Sequence, residues 1–276
     1  IEGLKLDEDG NVIAGAKFGL FKPGTTEFTE ETAVLVTESD SEGKFRFEDI
    51  RFGKWIVREL VPATGYVLNE TPIEVNIQTE GEIINISFEN KFIRSDIKGY
   101  KVDEDGKPVE GALFGLFTET DTEFTEENAV LTAKSDADGI FFFDDIRFGK
   151  WIVKELAPAE GFVANDTVFP IDVTTDGAVI EINAENRHIY GMVHTTKVDK
   201  DYPDNLLAGA IFEIYMDVDG NKEFNADVDT LVGEMVEYEP GLYELENLRY
   251  GGYFLYEKQA PANYVKDDVY HYFAIV

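Results

Sequence analysis

The feature that most constrains this chain is that it repeats itself at a fixed interval. "IEGLKLDEDGNVIAGAKFGLF" opens at residue 1 and "IKGYKVDEDGKPVEGALFGLF" at residue 97. Lys5 and Lys101 are 96 residues apart (101 − 5 = 96), as are Glu59 and Glu155 (155 − 59 = 96) and Asn90 and Asn186 (186 − 90 = 96). No insertion or deletion separates the two copies, so each reads as one structural unit with its own core. A third, more diverged copy runs from "HTTKVDKDYPDNLLAGAIFEIY", with Lys197 again 96 residues on (197 − 101 = 96). Its glutamate, Glu257, comes 102 residues after Glu155 (257 − 155 = 102), which places one loop's worth of added residues before it. The expected units are 1–94, 95–190 and 191–276, with the last strand of the third missing from the sequence.

Inside each unit the apolar residues fall in short alternating runs, such as "KFRFEDI", "WIVREL", "PIEVNIQ" and "INISFEN", separated by the turns "DEDG", "SDSEG" and "SDADG". Alternation at period two with glycine-bearing turns predicts antiparallel β-sandwiches, so the fold class is all-β, three sandwiches in tandem. Helix is expected only as a single turn at "FTEETAVL" and "FTEENAVL", capped by Thr29 or Thr125. The connections "KFIRSD" and "RHIYGM" are short and carry large apolar residues, which predicts stiff joints and units strung end to end.

A hydrophobic content of 43% supplies real cores, and a formal charge of −32 repels phosphate backbones and anionic lipid surfaces. Nucleic acid and membrane surfaces are therefore not expected partners. No apolar run approaches the roughly 18 residues of a membrane-spanning helix. Cysteine is absent, which excludes disulfides, thiol nucleophiles and thiolate metal sites. The chain opens at Ile1 with no signal-like segment and reads as a piece of a longer protein.

Each complete unit has a lysine in its first strand, a glutamate in a late central strand and an asparagine at the end of its final strand: Lys5, Glu59 and Asn90, then Lys101, Glu155 and Asn186. Alternation alone leaves open which face of "GLKLD" and "GYKVD" turns inward. If the lysine snorkels to solvent, it forms a plain ion pair with the glutamate. If all three point inward, desolvation removes the lysine's charge and protonates the glutamate. A neutral amine beside a protonated carboxyl can attack the amide carbon, giving a Lys–Asn isopeptide and ammonia. Such a bond would close a loop of 85 residues (90 − 5 = 85). By analogy with disulfides it would stabilise the unit by about 4–5 kcal/mol.

The series "KVDEDGKPVEGALFGLF", "SDADGIFFFDDIRFGKWIVKELAPAEGFV" and a terminal "EN" resembles the Cna B-type (SpaA-like, prealbumin-like) repeats of Gram-positive surface adhesins and pilins, along the whole chain. The resemblance implies an Ig-like, prealbumin-like sandwich in each unit. It also implies self-generated bonds from Lys5 to Asn90, with Glu59 as the proton-transfer acid, and from Lys101 to Asn186, with Glu155. Lys197 and Glu257 fit the same roles in the third unit, whose acceptor is not in the sequence. The pattern departs in one respect. Proline follows the glutamate by three residues in "ELVP" and "ELAP" but by four in "EKQAP", where Asn263 replaces the glycine of the other units; these shifts should move the loop more than the glutamate.

Unit three also carries "DVDGNKEFNADVD" at 217–229, where Asp217, Asp219, Asn221, Glu223, Asn225, Asp227 and Asp229 offer oxygens on alternate residues, as a calcium loop requires, and the expected ligands are Asp217, Asp219, Asn221, Glu223 and Asp227. The match to an EF-hand loop is imperfect: Lys222 stands at the position of the turn glycine and Val228 at position 12. A solvated acidic hairpin is the alternative. No other cofactor is expected. His188, His194 and His271 have no metal spacing and read as surface or junction residues, and Trp55 and Trp151 read as core or as walls around the trio.

The expected function is structural: an extracellular stalk or shaft segment of a cell-wall-anchored adhesin or pilus, its anchor and signal outside this sequence. Its partners are the neighbouring domains of the same surface protein, and the fragment itself should be a monomer. The rival is a module that grips a host extracellular protein, which an apolar exposed face on unit three alone would favour. An enzyme acting on external substrates would need a polar pocket of convergent titratable groups; the only chemistry expected is a single turnover within each unit.

Overall fold

The computed structural model describes residues 1–276, and they fold as three sandwiches in a row. In unit one, β1 (Glu2–Asp7), β4 (Lys44–Arg46) and β7 (Asn85–Asn90) form a three-stranded sheet in the order β4-β1-β7. Facing it is a four-stranded sheet of β2 (Lys17–Phe21), β3 (Leu35–Glu38), β5 (Gly53–Val61) and β6 (Ile73–Ile77), in the order β3-β2-β5-β6. Unit two repeats both sheets. Its smaller sheet, in the order β11-β8-β14, holds β8 (Arg94–Asp103), β11 (Ile140–Arg147) and β14 (Ala178–Asn186). Its larger one, in the order β10-β9-β12-β13, holds β9 (Leu113–Thr118), β10 (Leu131–Lys134), β12 (Gly149–Ala157) and β13 (Val168–Val173).

Unit three is built from β15 (Tyr190–Thr196), β16 (Ile211–Met216), β17 (Thr230–Glu234), β18 (Val236–Glu239), β19 (Leu242–Arg249), β20 (Gly251–Gln259) and β21 (His271–Ile275). Its sheets run β15-β19-β18 and β17-β16-β20-β21, so β15 lacks the parallel neighbour that β1 and β8 have. There is no helix. The "FTEETAVL" and "FTEENAVL" segments each make one turn, in which Ala33 N–H donates to Thr29 O and Ala129 N–H to Thr125 O, both at 3.1 Å.

Between the sheets the alternating residues interlock. Phe18, Leu20, Val57 and Val75 from the larger sheet meet Phe45 and Phe88 from the smaller one, and Phe18 stacks on Phe45 with ring centroids 3.8 Å apart. The Phe45 ring occupies the space beside Gly3, where a Cβ would lie 1.9 Å from a ring carbon. Glycine is thus required two residues before Lys5, and Gly99 under Phe141 repeats the arrangement. Trp55 and Trp151 pack on the margins of their cores, and each donates its indole N–H to a backbone carbonyl, of Arg51 and Arg147, at 2.9 Å.

One pairing departs from the antiparallel pattern of the rest. The first and last strands of units one and two run parallel, with Lys5 opposite Phe88 and Asp7 opposite Asn90 in one, and Lys101 opposite Ala184 and Asp103 opposite Asn186 in the other. Parallel strands leave the sheet in the same direction. The entering strand and the leaving strand therefore have their free ends at opposite poles of the unit, and the next unit continues along the same line.

The joints repeat as faithfully as the units. At the first, Ile93 N–H donates to Gly65 O at 2.9 Å and Phe148 N–H to Ile93 O at 2.8 Å, tying connector to both neighbours. At the second, Ile189 N–H donates to Gly161 O at 2.8 Å and Tyr250 N–H to Ile189 O at 2.9 Å. Polar pairs reinforce each joint across the "DEDG" turn: Arg94 pairs with Glu8 and Arg147 with Asp9, then His188 hydrogen-bonds Glu104 and Arg249 pairs with Asp105. The guanidinium of Arg147 also lies over Phe92, 4.3 Å from its centroid.

Candidate functional site

The burial pattern of β1 answers which face of "GLKLD" turns inward. Gly3, Lys5 and Asp7 are buried, while Leu4 and Leu6 are only half-buried on the opposite face. On β5 the inward residues are Val57 and Glu59, and the pairing register with β2 slips immediately after Glu59. The same slip follows Glu155 in unit two and Glu257 in unit three. A bulge of this kind ends regular pairing beside the carboxylate and bends the strand toward its loop.

Lys5, Glu59 and Asn90 are 0%, 1% and 1% exposed. Asn90 Nδ2 donates to Glu59 Oε1 at 2.8 Å, and Lys5 Nζ lies 4.0 Å from the same oxygen. The ammonium's other neighbours are backbone carbonyls, Leu6 O at 3.1 Å and Phe88 O at 3.4 Å. Unit two reproduces the arrangement. Asn186 Nδ2 donates to Glu155 Oε1 at 2.8 Å, and Lys101 Nζ to Val102 O at 3.1 Å and Ala184 O at 3.2 Å. In both units the asparagine Oδ1 is buried without a hydrogen-bond partner.

Burial lowers the pKa of Lys5 and of Lys101 below the ordinary lysine value, against the opposing pull of nearby carboxylates. Burial raises Glu59, against the hydrogen bonds from Asn69 and Asn90 and the charge of Lys5. Both directions favour a neutral amine beside a neutral carboxyl over an ion pair. Such a pair is chemically competent: the amine has a free lone pair, and the acid has a proton to give.

In unit three the lysine and glutamate sit differently. Lys197 Nζ is 2.8 Å from Glu257 Oε1, closer than in unit one, and the lysine side chain is 20% exposed.

The family comparison decides the lineage of the three sandwiches. Residues 1–92, 95–188 and 191–276 each match the SpaA prealbumin-like fold domain. The chain belongs to the SpaA prealbumin-like family. Among solved structures, the Bacillus anthracis TIE protein superposes on these SpaA-like units with a TM-score of 0.81 at 23% identity, over 100% of this chain and 48% of that one, a likeness of fold. The chain thus spans about half the length of that protein. BcpA, the major pilin subunit of Bacillus cereus, matches at 16% identity with a TM-score of 0.44, over 100% of this chain and 92% of that one. A streptococcal ancillary pilin matches at 20% with 0.36, over 100% and 95%. No curated protein matches the chain.

Sequence reasoning missed one member of each SpaA-like site. Ten residues after the glutamate, the backbone N–H of Asn69 donates to Glu59 Oε2 at 2.7 Å, that of Asn165 to Glu155 Oε2 at 2.7 Å, and that of Asp267 to Glu257 Oε2 at 2.8 Å. The Asn69 side chain also donates to Glu89 O at 2.9 Å, and that of Asn165 to Glu185 O at 2.7 Å, fastening the loop to the last strand beside the acceptor. The constant spacing of ten is the signal that could have found them. Asn263, with φ 70°, takes the left-handed conformation of Gly65 and Gly161, so the third loop keeps its path despite the substitution.

The predicted calcium ligands are only partly brought together. Asp217 and Asp219 join Asp229, with one oxygen from each within 4.8 Å of the others; Glu223 and Asp227 are outside this cluster. Asn221 is engaged locally, its Nδ2 donating to Asp219 and its Oδ1 accepting from Glu223 N–H. The reason is the hairpin register. Met216 pairs with Thr230, so the next residue outward on each side, Asp217 and Asp229, close the loop face to face.

Proposed function

We propose that the chain is a shaft segment of a Gram-positive surface adhesin or pilus, held outside the cell and anchored through parts beyond this sequence. In each complete unit a lysine–asparagine isopeptide bond locks the first strand to the last. The observation that carries this reading is the buried trio of Lys5, Glu59 and Asn90, repeated as Lys101, Glu155 and Asn186. The neutral amine attacks Cγ of the asparagine, and the carboxyl gives its proton to the carboxamide and takes one from the amine. The C–Nδ2 bond breaks, a C–Nζ bond forms and ammonia leaves. The glutamate ends as it began, and the reaction happens once per unit.

The partners in this role are the neighbouring domains of the same protein. The parallel pairing of first and last strands and the matched joints support it, because tension would enter one pole and leave the other. A Lys5–Asn90 bond joins the two strands on which that tension acts, so the unit could not be peeled open from its ends. Single-molecule pulling on the whole chain tests the role: units one and two should show no extension event, and full-length unfolding of either would contradict it.

A second reading, a gripping surface on unit three, would rest on Val236 and Tyr238, both exposed on β18. Saturable binding to an extracellular matrix protein, abolished by Val236→Asp, would favour that role; its absence would leave the spacer.

A further inference from the structure

The hairpin between β16 and β17 differs in chemistry from its counterparts. The residue immediately before β3 is Val34 and before β10 is Val130; before β17 it is Asp229. Asp229 is 7% exposed and accepts the N–H groups of Val218 at 3.1 Å and Asn225 at 2.7 Å. Asp217, 6% exposed, accepts Lys222 N–H at 3.1 Å on Oδ2, while its buried Oδ1 has no partner at all.

No lysine or arginine pairs with Asp217, Asp219 or Asp229; the nearby Lys222 lies over the Tyr272 ring instead, 5.6 Å from its centroid. Two buried carboxyl groups and a third at their mouth thus stand together with no cationic side chain, an arrangement that a bound cation would satisfy. The three donor oxygens lie within 4.8 Å of one another. A point equidistant from three oxygens at that separation lies at most about 2.8 Å from each, a small adjustment away from the 2.3–2.6 Å calcium–oxygen distance.

We propose that Asp217, Asp219 and Asp229 bind one calcium ion at the base of this hairpin, with water and backbone carbonyls completing the shell. The donors are all hard oxygens, and two come from different strand ends. A flexible, high-coordination cation fits such a set better than magnesium, which demands a near-ideal octahedron. Lys222 keeps its N–H turned into the site by adopting φ 64°, the conformation glycine would otherwise supply. Binding would pin the two ends of the loop and make the stability of unit three depend on external calcium.

The test is calorimetric titration of the whole, chelator-treated chain with calcium chloride, in physiological salt with excess magnesium. One saturable site per chain is expected, with a Kd at or below ~10⁻³ M, the range of extracellular modules. Asp217→Asn and Asp219→Ala should each raise that Kd at least tenfold, while Glu223→Ala leaves it unchanged. Asp219 is exposed, so its variant decides the matter even if Asp217→Asn fails to fold. Absence of saturable heat, many weak equivalent sites, or unchanged binding by Asp219→Ala would overturn the proposal.

Discussion

Asn90 presents its Nδ2 to Glu59 Oε1 at 2.8 Å and leaves its Oδ1 without a partner in a site closed to water. Asn186 does the same against Glu155. A buried carbonyl with no donor is costly, and the nearest remedy is a half-turn of the carboxamide, which sets Oδ1 against the carboxyl. With a proton on Glu59, that contact would become a hydrogen bond that polarises the carboxamide carbon.

Replacing Glu59 by glutamine keeps the size but leaves a single acceptor oxygen for the two N–H groups of Asn69 and Asn90, and it removes the proton relay. Glu59→Gln should leave unit one open while unit two still closes, so the chain mass falls one ammonia, instead of two, below the sum of its own sequence. Loss of a bond worth about 4–5 kcal/mol should lower the melting temperature of that unit by roughly 15 °C or more. Mass spectrometry and calorimetry on the same sample check both.

Titration should expose the buried amine in a chain that cannot close. In Asn90→Ala, Lys5 has a folded pKa below its ordinary 10.5, so between those two values the unfolded chain holds the extra proton. Stability therefore rises with pH across that window and is lost as pH falls through the folded value. Glu59, raised above 4.5, acts with the opposite sign, contributing stability below 4.5 that is lost as pH rises through its folded value. Urea midpoints of Asn90→Ala should climb from neutral pH toward about pH 10 more steeply than those of Lys5→Met/Asn90→Ala. Equal slopes would place the Lys5 amine in water.

The joint depends on a close approach. A Cβ on Gly65 would meet the Phe148 ring at 3.0 Å, from a backbone at φ 90° that side chains rarely adopt. Gly65→Ala should cost about 1 kcal/mol and loosen the first joint, shortening the maximum dimension in small-angle scattering. Arg94→Ala should change the profile less, because its half-buried pair with Glu8 still reaches solvent and such pairs contribute about 0–1 kcal/mol.

The loop asparagine should set how completely the bond forms. Asn69→Ala keeps the backbone N–H to Glu59 but frees the loop from Glu89 O. Freshly purified protein should then be a mixture of open and closed unit one, a mass doublet, in contrast to Glu59→Gln, in which unit one is open throughout.

The repeat length and the period-two alternation made the sandwiches legible, because both follow from local chemistry: glycine turns and one buried face. The parallel pairing of first and last strands was not, since nothing in "GLKLD" or "SFEN" encodes a partner 83 residues away. The inward turn of Lys5 was equally hidden, because Leu4 and Leu6 would satisfy the core by residue type; Gly3 beneath Phe45 is what seats that face inward. In the acidic loop, counting alternate oxygens led to Glu223 and Asp227, whereas hairpin register chose Asp229.

The central claim concerns covalent closure of units one and two, and the intact mass of the chain tests it most directly. The account predicts a mass two ammonia molecules below the sum of the sequence, with proteolysis yielding branched peptides that join Lys5 to Asn90 and Lys101 to Asn186. A mass equal to that sum would contradict it.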